Sequence, residues 1–184
     1  MHTDNSIESH PDWLPELLSL RCLTPEDRGF HEAMTARIVD TLASAEYLIP
    51  MTREEYDDTY TKDNEDVVYG IFEADKMVAT SSLLHDVRAY EGNMELSGVL
   101  KHHCVEIGEC MVLPEYRGRG FMYRLNCLIK DEARRQGAEY MLATAHPDNI
   151  ASNRSLFRLG YKLVKEFSRS GYRRNLLLLD LSKD

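Results

Sequence analysis

A chain of 184 residues, 43% hydrophobic and 29% charged, is long enough to bury a core as one domain without disulfide or metal staples. Its formal net charge of −9 speaks against nucleic acid or an anionic membrane as main partner, since both favour a basic face. The four cysteines lack CxxC pairing, the opening MHTDNSIESHPDW lacks the basic and apolar regions of a signal peptide, and LLLLDL is too short to span a bilayer, which together predict a cytoplasmic protein with reduced thiols.

Residues 1–17 read as an N-terminal extension, with room for a short helix in PDWLPELLSL, and residues 18–184 as a single domain. LSLRCLT is a first strand. Thr24-Pro25-Glu26-Asp27 then starts a helix with a hydroxyl cap, proline at the first helical position and acids in the first turn. Phe30, Met34, Ile38 and Leu42 recur every four residues and predict its buried side. The acidic run Glu54, Glu55, Asp57, Asp58, Asp63, Glu65 and Asp66 follows; a solvated helix face is the plain expectation, attraction of a cationic amine the sharper one.

VVYGIFEADKMVATSSLL folds as a hairpin around Ala-Asp-Lys, and HDVRAYEGNMELSG has the look of a loop. HCVEIGECMVL is a longer strand ended by Pro114. From Gly120 the period turns helical, with Phe121, Leu125, Leu128, Ile129 and Ala133 on one side and Gly137 as C-cap. AEYMLATA is a buried strand, HPDNIASNRSLFRLGY holds a helix from about Asp148 to Gly160, and YKLVKEF and RRNLLLLDL are strands joined by a Ser-Arg-Ser-Gly turn. The element order predicts an α/β (α+β) layer structure, a mixed sheet with helices packed against it.

Arg117-Gly118-Arg119-Gly120 puts a glycine-rich, basic turn between a strand and a helix, where backbone N–H groups suit an anion. No lysine is followed by Ser or Thr, as a nucleotide P-loop would require. Tyr123 stands where a dinucleotide fingerprint needs its third glycine.

The chain resembles the Gcn5-related N-acetyltransferase superfamily over roughly residues 18–181. The family motif [Q/R]-x-x-G-x-[G/A] appears as Arg117-Gly118-Arg119-Gly120-Phe121-Met122, with Met122 in place of a small residue. A later element, Asn149-x-x-Ser152 followed by Leu159-Gly160-Tyr161, fits as well.

This resemblance implies a mostly antiparallel sheet of about seven strands flanked by about four helices, with acetyl-coenzyme A as cosubstrate and no metal. Its pantetheine arm would lie along the strand near Met111, Val112 and Leu113. Its pyrophosphate would meet the N–H groups of residues 118–122, with Arg117, Arg119 and Arg124 adding positive charge. Asn149 would face the pantetheine arm, and Ser152 the cofactor or its own helix end. The resemblance also implies a small-molecule or peptide amine as acceptor and admits a homodimer.

Acetyl transfer to an amine needs a neutral nitrogen, donors for the tetrahedral oxyanion and a proton for the departing thiolate. Glu106, eleven residues before Arg117, is the first candidate base and Glu109 the second; a regular strand would point them to opposite faces, unless a bulge changes the phase. A backbone N–H near Met111 or Val112 is the expected oxyanion donor. Many relatives carry a tyrosine acid at a position that is Leu156 here, flanked by Ser155 and Phe157. Cys110 is expected as a buried thiol, with a covalent two-step route as the alternative. Two further readings stay open: a non-catalytic acyl-coenzyme A-binding sensor of the same fold, and a transferase of longer acyl chains.

Overall fold

The computed structural model of the chain describes residues 10–61 and 65–183. Residues 1–9 of the expected extension and Asp63 of the acidic run lie outside the described residues. Seven strands form one sheet in the order β1-β2-β3-β4-β5-β7-β6: β1 Leu18–Cys22, β2 Val67–Glu73, β3 Lys76–Leu84, β4 Cys104–Val112, β5 Tyr140–Ala145, β6 Lys162–Arg169 and β7 Tyr172–Asp180. Every pairing is antiparallel except β4 with β5. A parallel pair needs a crossover, and the helix α3, Phe121–Arg135, supplies it. Helices α1 Arg28–Val39, α2 Arg53–Thr59 and α4 Ile150–Arg158 complete the layers. The architecture is the mixed, mostly antiparallel α/β sheet that the element order predicts.

Two local expectations are corrected. The stretch 11–20 holds no helix: residues 11–17 form turns, closed by Leu14 N donating to Pro11 O and Leu18 N to Pro15 O, both at 2.9 Å, and residues 18–20 already belong to β1; Leu14 nonetheless packs into the core. Phe30 is 37% exposed and touches the sheet only edge-on, 5.7 Å from Phe72. The inward face of α1 is His31, Met34, Thr35 and Ile38. Its two polar members are legible only once their partners are known: His31 Nδ1 lies 2.9 Å from Tyr60 Oη, and Thr35 Oγ1 lies 2.8 Å from Tyr56 Oη. A hydrophobic count assigns the face to Phe30 because it cannot credit buried polar groups that are satisfied.

The start of α1 follows its sequence, with Asp27 Oδ2 accepting from Thr24 N and Thr24 Oγ1 at 3.1 Å each. A 3₁₀ turn over Pro25–Asp27 precedes the α-helix proper. In α3, Phe121, Leu125, Ile129 and Ala133 are buried one above another, with Leu128 half-buried beside them. Most of the core is one apolar cluster reaching from Leu14 to Leu181. A second, smaller cluster of Tyr90, Leu96, Cys104, Leu142 and Leu176 lies under the 85–103 segment, which is irregular but for three short 3₁₀ turns.

The β6–β7 hairpin is tighter than expected. Ser170 and Gly171 alone make the turn, both at positive φ (52° and 83°), the backbone that a two-residue hairpin loop demands. Arg169 therefore belongs to the ladder, paired with Tyr172.

Candidate active site

The sheet opens between its parallel strands. β4 and β5 pair only through Cys104 with Tyr140, Val105 with Met141 and Glu106 with Leu142. Beyond Glu106, β4 runs on to Val112 and β5 to Ala145 without pairing, so the facing backbone edges are left to a cleft. On its other side β4 carries a bulge. Thr80 faces Met111 while Ser82 faces Gly108, so three steps along β4 match two along β3. Glu109 sits in the bulge at φ +49°, a left-handed conformation uncommon for a residue with a side chain. Strand alternation would separate Glu106 from Glu109; the bulge resets the phase, and both line the same cavity.

The cleft has two chambers, of about 610 Å³ and about 410 Å³, which share Tyr47, Leu48, Cys110, Met122, Asn149 and Ser152 as common walls. The larger is floored by Met111 and Val112 and closed by the turn Arg117, Gly118, Gly120, Phe121 and Met122. Leu113 N donates to Val78 O at 2.9 Å on β3, so by strand alternation the N–H and C=O of Val112 face the edge that β5 has vacated. Arg117 Nε caps that carbonyl at 3.2 Å. Arg124 N to Gly120 O, at 3.1 Å, is the first bond of α3; Phe121, Met122 and Tyr123 thus begin the helix with N–H groups that have no intrahelical acceptor. Gly118 and Gly120 hold φ of 76° and 81°, and a Cβ added to either would meet no protein atom within 4 Å. The turn presents open backbone donors at the positive end of a helix, a fit for a diphosphate.

Not every residue singled out from the sequence reaches this chamber. Leu113 is 1% exposed and lines neither cavity. Arg119 lies over the Tyr116 ring, 5.0 Å from its centroid, and donates to Glu115 O at 3.3 Å; Arg124 lies over Trp13 at 5.9 Å. Their place is taken by Arg154 and Arg158, one turn apart on α4 and both in the chamber wall, with Arg158 stacked 4.0 Å over Tyr123. That four-residue spacing was legible beforehand. Asn149 lines both chambers while its Oδ1 accepts from Ser152 N at 3.2 Å, so it is the N-cap of α4 as well.

The smaller chamber holds the charged groups. Glu106, 6% exposed, accepts from Arg169 Nη1 at 2.8 Å; the same nitrogen is 3.2 Å from Tyr90 Oη. Burial pushes the Glu106 carboxyl above its ordinary value, with Arg169 opposing the shift and Glu109 adding to it. Glu109 has no such partner. Its Oε2 makes no hydrogen bond and lies 3.6 Å from Nε2 of the fully buried His31, itself unpartnered on that nitrogen. Glu55, Asp58 and Asp66 of the acidic run also line the chamber, which corrects the expectation of a purely solvated face.

The Cys110 thiol, near Ser81 Oγ (3.3 Å) and Asn126 Oδ1 (3.4 Å), is pushed up to about 12 by burial. Leu156 lies in the wall at 5% exposure, and Tyr161, whose buried hydroxyl makes no hydrogen bond, lines neither chamber; burial holds its pKa well above the ordinary value. His31, Tyr90, Arg169 and Arg174 were missed from the sequence, and nothing in their local patterns marks them.

Among the described residues no three His, Cys, Asp or Glu are grouped to hold a metal ion, and no helix is long and apolar enough to cross a membrane. The fold is shared by an N-acetyltransferase from Staphylococcus aureus Mu50 (17% identity, 89% of this chain and 98% of that chain, TM-score 0.69). It is shared too by yncA, a putative acetyltransferase from Salmonella typhimurium solved with its cofactor acetyl-CoA (19% identity, 92% and 96%, TM-score 0.68). The ribosomal-protein-S5-alanine acetyltransferase from Vibrio fischeri is similar as well (17% identity, 91% and 94%, TM-score 0.66). No curated protein matches the chain. The Acetyltransferase (GNAT) family profile matches residues 33–161, which contain the splayed strand, the glycine turn and α4, and the chain belongs to that family.

Proposed function

We propose that the protein is an acetyl-coenzyme A-dependent N-acetyltransferase that serves a primary amine by direct attack. One observation carries the reading: a continuous cleft with backbone donors of a helix start at one end and two carboxylates on one wall at the other. The Salmonella neighbour's bound acetyl-CoA supports the same cosubstrate here.

Acetyl-coenzyme A would supply an activated acetyl thioester. The N–H groups of Phe121 and Met122, with Arg154, Arg158 and the Gly118–Gly120 turn, would hold its diphosphate; the vacated β4 edge at Val112 would pair its arm and offer an N–H to the carbonyl oxygen. An ammonium entering the smaller chamber would meet Glu106 and Glu109 together. Glu109 is the base we assign: a proton on it leaves no buried cation behind, whereas a proton on Glu106 would strip Arg169 of its partner. His31 stands behind Glu109, its Nε2 3.6 Å from the carboxylate. Leu156 gives the leaving sulfur no proton, and the sulfur can leave without one because a thiolate is a weak base beside an alkoxide. Cys110 keeps its proton at neutral pH, which favours direct attack over a covalent relay.

The test is release of free thiol from acetyl-coenzyme A by purified protein across a panel of amines, beside calorimetry of coenzyme A binding. Amine-dependent release is expected. Tight binding without release from any amine would instead assign the fold to a sensor, and absence of binding would overturn both.

A further inference from the structure

Arg174 is the charged group that the reading above leaves without work. It stands on β7, 3% exposed, with its side chain in the wall of the smaller chamber. Nη1 donates to its neighbour's backbone, Arg173 O, at 2.8 Å; Nη2 is buried and bonded to nothing. A buried guanidinium without a counter-ion is costly, and native proteins carry few of them. The other arginines of this wall are already committed, Arg169 to Glu106 at 2.8 Å and Arg88 to Asp86 at 2.7 Å.

Arg174 has no carboxylate in ion-pair contact among the described residues. The acidic group whose field reaches it, Glu46, is half-exposed and sits 3.0 Å from His146 Nε2. Burial, reinforced by the like charge of Arg169, lowers its pKa from the ordinary value, with Glu46 and Tyr172 opposing the shift; the guanidinium lies 5.6 Å from the centroid of the Tyr172 ring, a contact that leaves Nη2 without a hydrogen bond.

Resting on the transferase reading, the geometry points to an acceptor that carries an anionic group, a carboxylate or a phosphate, beside its amine: Arg174 receives the anion and the Glu106–Glu109 wall receives the ammonium. An arginine presents a planar fork of N–H donors that suits both anions. The chamber's volume, about 410 Å³, lies in the range of small-molecule sites, so the acceptor is a compact zwitterion such as a free amino acid or an aminoalkyl phosphate.

The experiment uses the full chain, saturated with coenzyme A for binding or given acetyl-coenzyme A for turnover. The probes are the common L-α-amino acids, their decarboxylated amines, and phosphoethanolamine, read by thermal shift and by thiol release on wild type and Arg174→Met. We expect an amino acid or phosphoethanolamine to stabilise the protein and to be acetylated at least about tenfold better than its anion-free amine, and Arg174→Met to erase that preference. Which of the two probes responds identifies the anion. Coenzyme A affinity should stay at the parent value, and the melting temperature of the unliganded variant should stand at or above the parent's, because the substitution removes an uncompensated buried charge. Stabilisation without thiol release, lost in Arg174→Met, would sink the transferase reading and leave this one standing. Equal handling of anionic and anion-free probes by wild type, or equal loss of both in Arg174→Met or in the conservative Arg174→Lys, would overturn it.

Discussion

The two chambers of the cleft are built in different ways. The larger takes most of its walls from one continuous run, Cys110 to Tyr123, and from α4 a short distance downstream. The smaller is assembled from residues 47–51, α2, the 85–89 segment, β4, β5, β6 and β7, with Arg169 of β6 and Glu106 of β4 meeting across 63 residues of sequence. A coenzyme site depends on backbone donors that a local turn can aim by itself. An acceptor site depends on side-chain charges whose partners the tertiary fold alone supplies. The first kind survives as a motif; the second is free to differ in every chain that shares the fold.

The hardest test of this contrast is at Glu109. Glu109→Gln keeps the shape and removes the base we propose, and should lower kcat/KM by a factor on the order of 10²–10⁴ while coenzyme A affinity holds. A larger loss in Glu106→Gln, measured side by side, would move the base to Glu106.

Next in size is Gly120→Glu in the other chamber. Its residue would be strained at φ +81° and would aim negative charge at the helix start, so calorimetry should find coenzyme A bound on the order of 100-fold more weakly. Unchanged affinity would mean that the diphosphate lies elsewhere.

Arg169→Met probes stability instead of binding. Removing one partner of a buried pair exposes the cost of the other, tempered here because the Arg169 side chain is 25% exposed; about 2 kcal/mol is expected from denaturant unfolding at pH 7. The deficit depends on pH in a definite direction. Glu106 binds its proton more tightly in the folded chain than in the unfolded one, so its contribution is fully present below 4.5 and is lost as pH rises through the raised folded value. Without Arg169 the folded value climbs further, and the deficit should grow from about pH 4.5 upward. The same deficit at acid and neutral pH would break the assignment of its cause.

The smallest effect is at Cys110. With the thiol pushed up to about 12, Cys110→Ala should leave turnover within a factor of about two; loss of activity would reinstate a covalent route.

How much the sequence disclosed follows the same division. Arg117 to Met122 and Asn149 to Ser152 were legible because the turn and the helix cap they form are built within a few residues of themselves. Glu106 and Glu109 were legible as candidates, but their shared direction was not, since it hangs on one extra residue in β4 relative to β3. His31 hid behind the apolar spacing of α1, whose buried face is half polar. Arg169 was hidden by a turn expected to take four residues and built with two, and Arg174 by reaching its chamber only through the register of β7 with β6.

The small cluster of Tyr90, Leu96, Cys104, Leu142 and Leu176 stands apart from the main core and underlies the 85–103 segment, whose start lines the smaller chamber. Under the proposed function, substitutions at Tyr90 and Leu96, which lie outside the sheet, would remodel what is admitted while leaving the turn proposed to grip the coenzyme untouched. Such a division between guest and grip would let a lineage change its clientele while inheriting its chemistry.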